Sequence, residues 1–225
     1  MLKRLALLGT CGCALVAGGP AQAVTINPGT EGLTFTAFDP TTQGTQLAFT
    51  SVPGTALTFS AIMRSAVYRN SSGTLDFYYQ IARTGAGTVG NQQIDGFTAA
   101  IFQGFTVTGF SSANDLDGGG AFTAANNPGG STTTTGRSLD GQVLQTAFAP
   151  NGLFDSETSA TYIFRTNATL FTTGTFGIID GSTFSGLAFA PAVPEPGTWS
   201  MMILGFGMIG GALRYRRRRT ALTFA

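Results

Sequence analysis

The chain is 225 residues long, 43% hydrophobic and only 10% charged, with two cysteines, no histidine and a formal net charge of +1. Lacking histidine, it can build neither a Ser-His-Asp nor a Cys-His triad, nor a histidine-based zinc site. Residues 24–192 hold five arginines against ten carboxylates and no lysine, a net charge of −5, so this segment presents no basic patch to nucleic acid or to an anionic membrane.

Lys3 and Arg4 precede an apolar stretch from Leu5 to about Ala17, and Ala21-Gln22-Ala23 has the small-x-small form of a signal peptidase site. Residues 1–23 therefore read as a secretory signal peptide, cut after Ala23. Cys11 and Cys13 both fall inside it, so the mature chain is expected to hold no disulfide in an oxidising compartment and to rely on packing.

Residues 24–192 are long enough for one domain with its own core. Short β-branched and aromatic runs of period two, separated by Gly, Asn, Asp, Ser and Thr clusters, predict an all-β ectodomain. The expected strands are Leu33 to Phe38, Gln46 to Val52, Ala56 to Ala61, Ser65 to Arg69, Thr74 to Arg83, Phe97 to Phe110, Gln142 to Phe148, Ala160 to Phe171 and Thr175 to Ile179. Their spacing suggests an antiparallel β-sandwich of jelly-roll or Greek-key type. Ser111 to Arg137, rich in Gly and Thr, is expected as a long loop.

In Leu75-Asp76-Phe77-Tyr78-Tyr79-Gln80-Ile81, alternation puts Leu75, Phe77, Tyr79 and Ile81 on a core face and Asp76, Tyr78 and Gln80 on a wet one. Those last three form the patch expected to contact a glycan, with Tyr78 as the stacking ring, although tyrosines on strands more often pack across the sheet. Asn114, Asp115 and Asp117 are closely spaced oxygen donors followed by glycines, a weak calcium candidate, with a plain Asp/Gly turn as the alternative. No other cofactor is expected. For catalysis only carboxylate chemistry is left, with Asp155 and Glu157, or Asp115 and Asp117, as conceivable pairs, and their turn-like setting favours solvated loop carboxylates. Asn70-Ser71-Ser72 and Asn167-Ala168-Thr169 have the form of N-glycosylation sequons.

At the C-terminus, Pro194 and Pro196 keep Val193-Pro194-Glu195-Pro196 out of a sheet or helix interior and leave it as an extended arm that a processing enzyme can grip. Trp199 follows at an interface position. An apolar run from Met201 to Leu213 comes next, then Arg214, Arg216, Arg217, Arg218 and Arg219. A single membrane helix is expected, with the arginines on the cytoplasmic side. At roughly 25 Å it would span a hydrocarbon core of ~30 Å only marginally. Gly207 and Gly211 make a Gly-x-x-x-Gly face.

From Val193 to Arg219 the order Pro-Glu-Pro-x-x-Trp, then Met-Met-Ile-Leu-Gly-Phe-Gly, then clustered arginine resembles the PEP-CTERM sorting signal, in the subgroup whose motif continues Trp-Ala. Ser200 replaces that alanine, and residues 220–225 form an additional short tail. The resemblance implies a substrate of exosortase, a membrane-embedded transpeptidase of Gram-negative bacteria, with Pro194, Glu195, Pro196, Trp199 and Arg216 to Arg219 as the recognised residues. It further implies an inner-membrane intermediate that ends at the cell surface or in an extracellular matrix of exopolysaccharide, as in a biofilm. Phe77-Tyr78-Tyr79-Gln80 and Gly174-Thr175-Phe176-Gly177-Ile178-Ile179-Asp180-Gly181 resemble domains that often precede this signal. The expected function is that of a non-enzymatic surface or matrix protein; a secreted carbohydrate-binding module and, more distantly, a carboxylate-dependent glycosidase are the alternatives.

Overall fold

Alternating apolar and small polar residues can bury one face per strand, and two such sheets must close on each other to hide those faces. The computed structural model describes residues 23–118, 120–127, 133–148, 151–193 and 196–221, with side chains from 199 to 215 in the last of these spans. Thirteen strands are present among the described residues: β1 (Val24–Thr25), β2 (Leu33–Thr34), β3 (Thr36–Ala37), β4 (Thr45–Thr55), β5 (Phe59–Arg69), β6 (Leu75–Ala86), β7 (Gly96–Ala99), β8 (Val107–Ser112), β9 (Thr134–Arg137), β10 (Leu144–Ala147), β11 (Thr161–Thr166), β12 (Leu170–Asp180) and β13 (Ser182–Ala192). A single helix follows, α1 (Pro196–Ala221).

One sheet runs β1-β8-β11-β6-β5-β4, with β3 also paired to β8, and the other runs β13-β12-β7-β10-β9-β2. Every pairing is antiparallel except β3 on β8. The expected β-sandwich is therefore present. Between the sheets lies the main core, with Phe77, Tyr79 and Ile81 from β6 against Phe97 and Ala99 from β7 and Phe176 and Ile178 from β12. Phe97 and Phe176 stack at 5.3 Å between ring centroids. Such ring pairs add about 0.5–1.5 kcal/mol each beyond area burial, a useful supplement where no disulfide is expected.

Several strand boundaries differ from those read in the sequence. Ala56 to Ala61 and Ser65 to Arg69 are not two strands: Ala56-Leu57-Thr58 is the turn, and β5 runs unbroken from Phe59. Phe97 to Phe110 breaks into β7 and β8 around Gly104, whose φ of +84° bends the chain. The break in 160–179 falls at Asn167-Ala168-Thr169, not after Phe171. The end of the expected loop, Thr134–Arg137, is β9. Strand β13 was missed altogether; Asp180-Gly181, with Gly181 at φ +48°, is a tight hairpin turn that starts it.

Candidate functional site

The C-terminal segment leaves the domain from a sheet edge. β13 pairs with β12 along its whole length, ending at Ala192↔Leu170, and its other side has no strand neighbour among the described residues. A bare edge leaves backbone groups unpaired. At Phe189 the facing sheet supplies both partners: the Tyr79 hydroxyl donates to the Phe189 carbonyl, and the Phe189 N–H donates to Ser65 Oγ at 3.2 Å. Beyond this latch only Ala190, Pro191 and Ala192 remain paired, and Val193 is 63% exposed.

Pro194 and Glu195 lie outside the described residues. Helix α1 begins at Pro196, where the missing N–H costs nothing. Trp199, Met201, Ile203, Phe206, Ile209 and Leu213 are all exposed, so apolar side chains cover every side of the helix. The helix expected from the sequence is thus present, but its spanning is not: no helix among the described residues is long and apolar enough to cross a membrane. Four glycines dilute the run before the arginines begin. Arg216, Arg217, Arg218 and Arg219 fall within the helix, and their side chains lie outside the described residues, as does the signal-site residue Ala21; Ala23 is the first residue described.

The expected glycan patch is closed. Asp76, Tyr78 and Gln80 are each fully buried, so both faces of β6 are covered. The segment after β8 folds back over the outer face of the sheet and makes a second apolar cluster of Phe38, Ala66, Tyr68, Tyr78, Phe122 and Ile163. Tyr78 sits 4.3 Å from Tyr68 and 5.8 Å from Phe122 between ring centroids. Burial raises the pKa of both phenols, that of Tyr68 to about 12. Period two was right for β6, but alternation cannot report that a loop will cover the polar-looking face.

Asp76 holds the base of the β5–β6 hairpin. Its carboxylate accepts from Asn70 Nδ2 at 2.8 Å and from Arg165 Nε at 3.2 and 3.0 Å. Desolvation nevertheless outweighs these bonds and raises its pKa above the ordinary aspartate value. A raised folded value means that the folded state binds the proton more tightly, so this group stabilises most below about 4 and loses that contribution as pH rises through its folded pKa. Asp39 and Asp140 act in the opposite sense, since hydrogen bonds from Thr41 and Ser138 lower their values and their contribution is lost on further acidification. We expect the unfolding midpoint to rise as pH falls from neutrality toward about 4 and to drop below that. Asp76→Asn should flatten the upper limb, read from unfolding midpoints across pH; an unchanged slope would remove Asp76 as its source.

Asn114, Asp115 and Asp117 serve the loop. Asp117 accepts from the N–H groups of Gly120, Ala121 and Phe122 at 3.1, 2.6 and 3.3 Å, Asp115 Oδ1 accepts from the Asp117 N–H, and the Asn114 N–H donates to Ser112 Oγ. No group of three His, Cys, Asp or Glu side chains able to hold a metal occurs among the described residues. Glu157 Oε2 accepts from Asn127 Nδ2 and from the Phe154 N–H, both at 2.7 Å, and the Asp155 carbonyl accepts from Arg83. Both residues thereby order one turn. The sequon asparagines are used too: Asn70 is buried, and Asn167 Oδ1 accepts from the Thr106 N–H.

A cleft of about 440 Å³ on the second sheet, with Glu31 and Asp95 among its lining residues and Thr98 and Gln145 between them, had no signal in the sequence. Its residues come from strands distant in the chain.

Residues 192–218 match the family profile of the PEP-CTERM protein-sorting motif. No match was found among curated proteins or among solved structures. The matched segment begins at the final rung of β13 and takes in Pro194-Glu195-Pro196, most of α1 and the arginines as far as Arg218. It marks an exported protein that is processed at a C-terminal sorting signal recognised by exosortase, a membrane protein.

Proposed function

We propose that this chain is a non-enzymatic cell-surface or extracellular-matrix protein of a Gram-negative cell, whose sandwich is the cargo and whose tail is the address. Signal peptidase removes residues 1–23 during export. Helix α1 then holds the chain at the inner membrane, shallowly, because its apolar part, roughly 25 Å long, is short of a ~30 Å hydrocarbon core and depends on arginine stems reaching the interface. An exosortase-type transpeptidase acts near Pro194-Glu195-Pro196 and leaves the sandwich at the surface or in the matrix. The observation that carries this is the sorting motif joined directly to the last rung of an edge strand.

The absence of histidine from the chain and of cysteine from its mature part supports a non-enzymatic role. Replacing Pro194, Glu195 and Pro196 together by alanine should leave the uncut chain in the membrane fraction while the sandwich folds as before. Release of this variant at the wild-type rate would remove the motif as the processing site. A polysaccharide remains a candidate ligand, but any contact has to lie away from Tyr78, which is buried.

A further inference from the structure

The hairpin end of the first sheet carries a feature that the sorting tail does not explain. The β5–β6 turn at Asn70-Ser71-Ser72-Gly73, the chain around Thr42 before β4, Thr106 before β8 and Asn167 after β11 come together there. They line a half-open hollow of about 290 Å³ that shares Thr42, Asn70 and Ser71 with a wider groove.

Two carboxylates lie beside this end, Asp76 paired with Arg165 and Asp39 bonded to Thr41, but neither faces a hollow. The domain carries twice as many carboxylates as arginines, yet no carboxylate lines either hollow, and Arg69 and Arg165 line one each. The Arg165 guanidinium is fixed from three sides: Nε on Asp76, one terminal nitrogen on Thr42 Oγ1 at 3.3 Å, and its plane 5.3 Å from the Phe110 ring centroid. Its side chain stays 32% exposed. Arg69 is exposed, and its guanidinium has no hydrogen-bond or ion-pair partner among the described residues. The turn between them is rigid, because the buried Asn70 carboxamide accepts from the N–H groups of Ser72 and Thr74 and donates to Asp76.

Two adjoining hollows, each with one arginine and otherwise lined mostly by threonine and serine hydroxyls and side-chain amides, suit a ligand with both oxyanions and hydroxyls. Guanidinium binds carboxylate through paired N–H bonds, and a preorganised site loses less entropy on binding. An acidic peptide would also need apolar pockets, and Leu47 is the one apolar side chain lining either hollow. We propose that these adjoining hollows bind an acidic glycan, with one uronate carboxylate on Arg69, another on Arg165, and sugar hydroxyls on the Thr42, Ser71 and Asn167 side chains. The site is independent of the tail, so its failure leaves the sorting function untouched.

The test uses the full-length protein in detergent, titrated with a galacturonate hexamer, a neutral galactose hexamer and inorganic phosphate. Saturable binding of the uronate is expected, weakening as salt is raised from 50 to 500 mM because the contact is charge-assisted and partly exposed. Arg69→Ala should weaken it at least tenfold while unfolding at the wild-type midpoint, since that guanidinium holds nothing in the fold. Equal binding of the neutral hexamer, undiminished uronate binding in Arg69→Ala, or phosphate binding without uronate binding would each overturn the proposal.

Discussion

Arg137→Ala is expected to remove about 3–5 kcal/mol of folding stability, much of what a domain of this size has. Arg137 is only 4% exposed. It donates from Nε to the Gly141 carbonyl at 2.8 Å and from its terminal nitrogens to the carbonyls of Ile26, at 3.2 Å, of Phe105, at 3.0 Å, and of Phe102. One side chain thus ties the β9–β10 hairpin to the chain after β1 and to the turn between β7 and β8. Burial lowers its pKa, yet a guanidinium starts so high that it stays charged. Its removal takes this donor from the carbonyls of Gly141, Ile26 and Phe105, each costing about 1–3 kcal/mol where water cannot enter, while the Phe102 carbonyl keeps the Phe105 N–H at 3.2 Å. Arg137→Met keeps much of the stem volume and should lose nearly as much, which separates the lost hydrogen bonds from lost packing. Urea unfolding midpoints check both; a shift under about 1 kcal/mol in Arg137→Ala would show that water replaces the guanidinium without penalty.

Gln80→Ala is expected to cost about 2–4 kcal/mol and to release the segment that covers the outer face of the first sheet. The buried amide is fully used. Its oxygen accepts from Arg64 Nη1 at 3.1 Å and from the Thr123 N–H at 3.2 Å, and its nitrogen donates to the carbonyls of Thr123 at 2.6 Å and Ser159 at 3.2 Å. A side chain here makes the two bonds to Thr123 that a neighbouring strand would make. Without it, Thr123 loses both backbone partners, and Phe122, over Tyr78, is held by the Asp117 carboxylate alone. Amide exchange from Ala121 to Thr123 should accelerate at least tenfold, with exchange in β6 changing far less. Unaltered protection would mean that Asp117 holds the cover alone.

These two residues also show what the sequence could and could not disclose. The sandwich was legible because period-two alternation is local and most strands carry it. The tail was legible because prolines, tryptophan, an apolar run and arginines follow one another in sequence order. Arg137 and Gln80 gave no such signal, since an arginine bonded to carbonyls far apart in the chain reads like any surface arginine, and a glutamine at an outward strand position reads as wet. Strand β13 went unread although Asp180-Gly181 announces a hairpin, because the glycines and alanines after it dilute the alternation. The groove at Arg69 and Arg165 joins four loops, and only the folded chain places its two cations around one polar turn.

Release of the sandwich by cutting at the tail would show in the intact mass of the native protein taken from membrane and extracellular fractions. The expected extracellular form begins at Val24 and ends near Pro194-Glu195-Pro196, with the uncut precursor confined to the membrane. An extracellular form that still carries Trp199 to Arg219, or a protein found only in the membrane at full length, would contradict it.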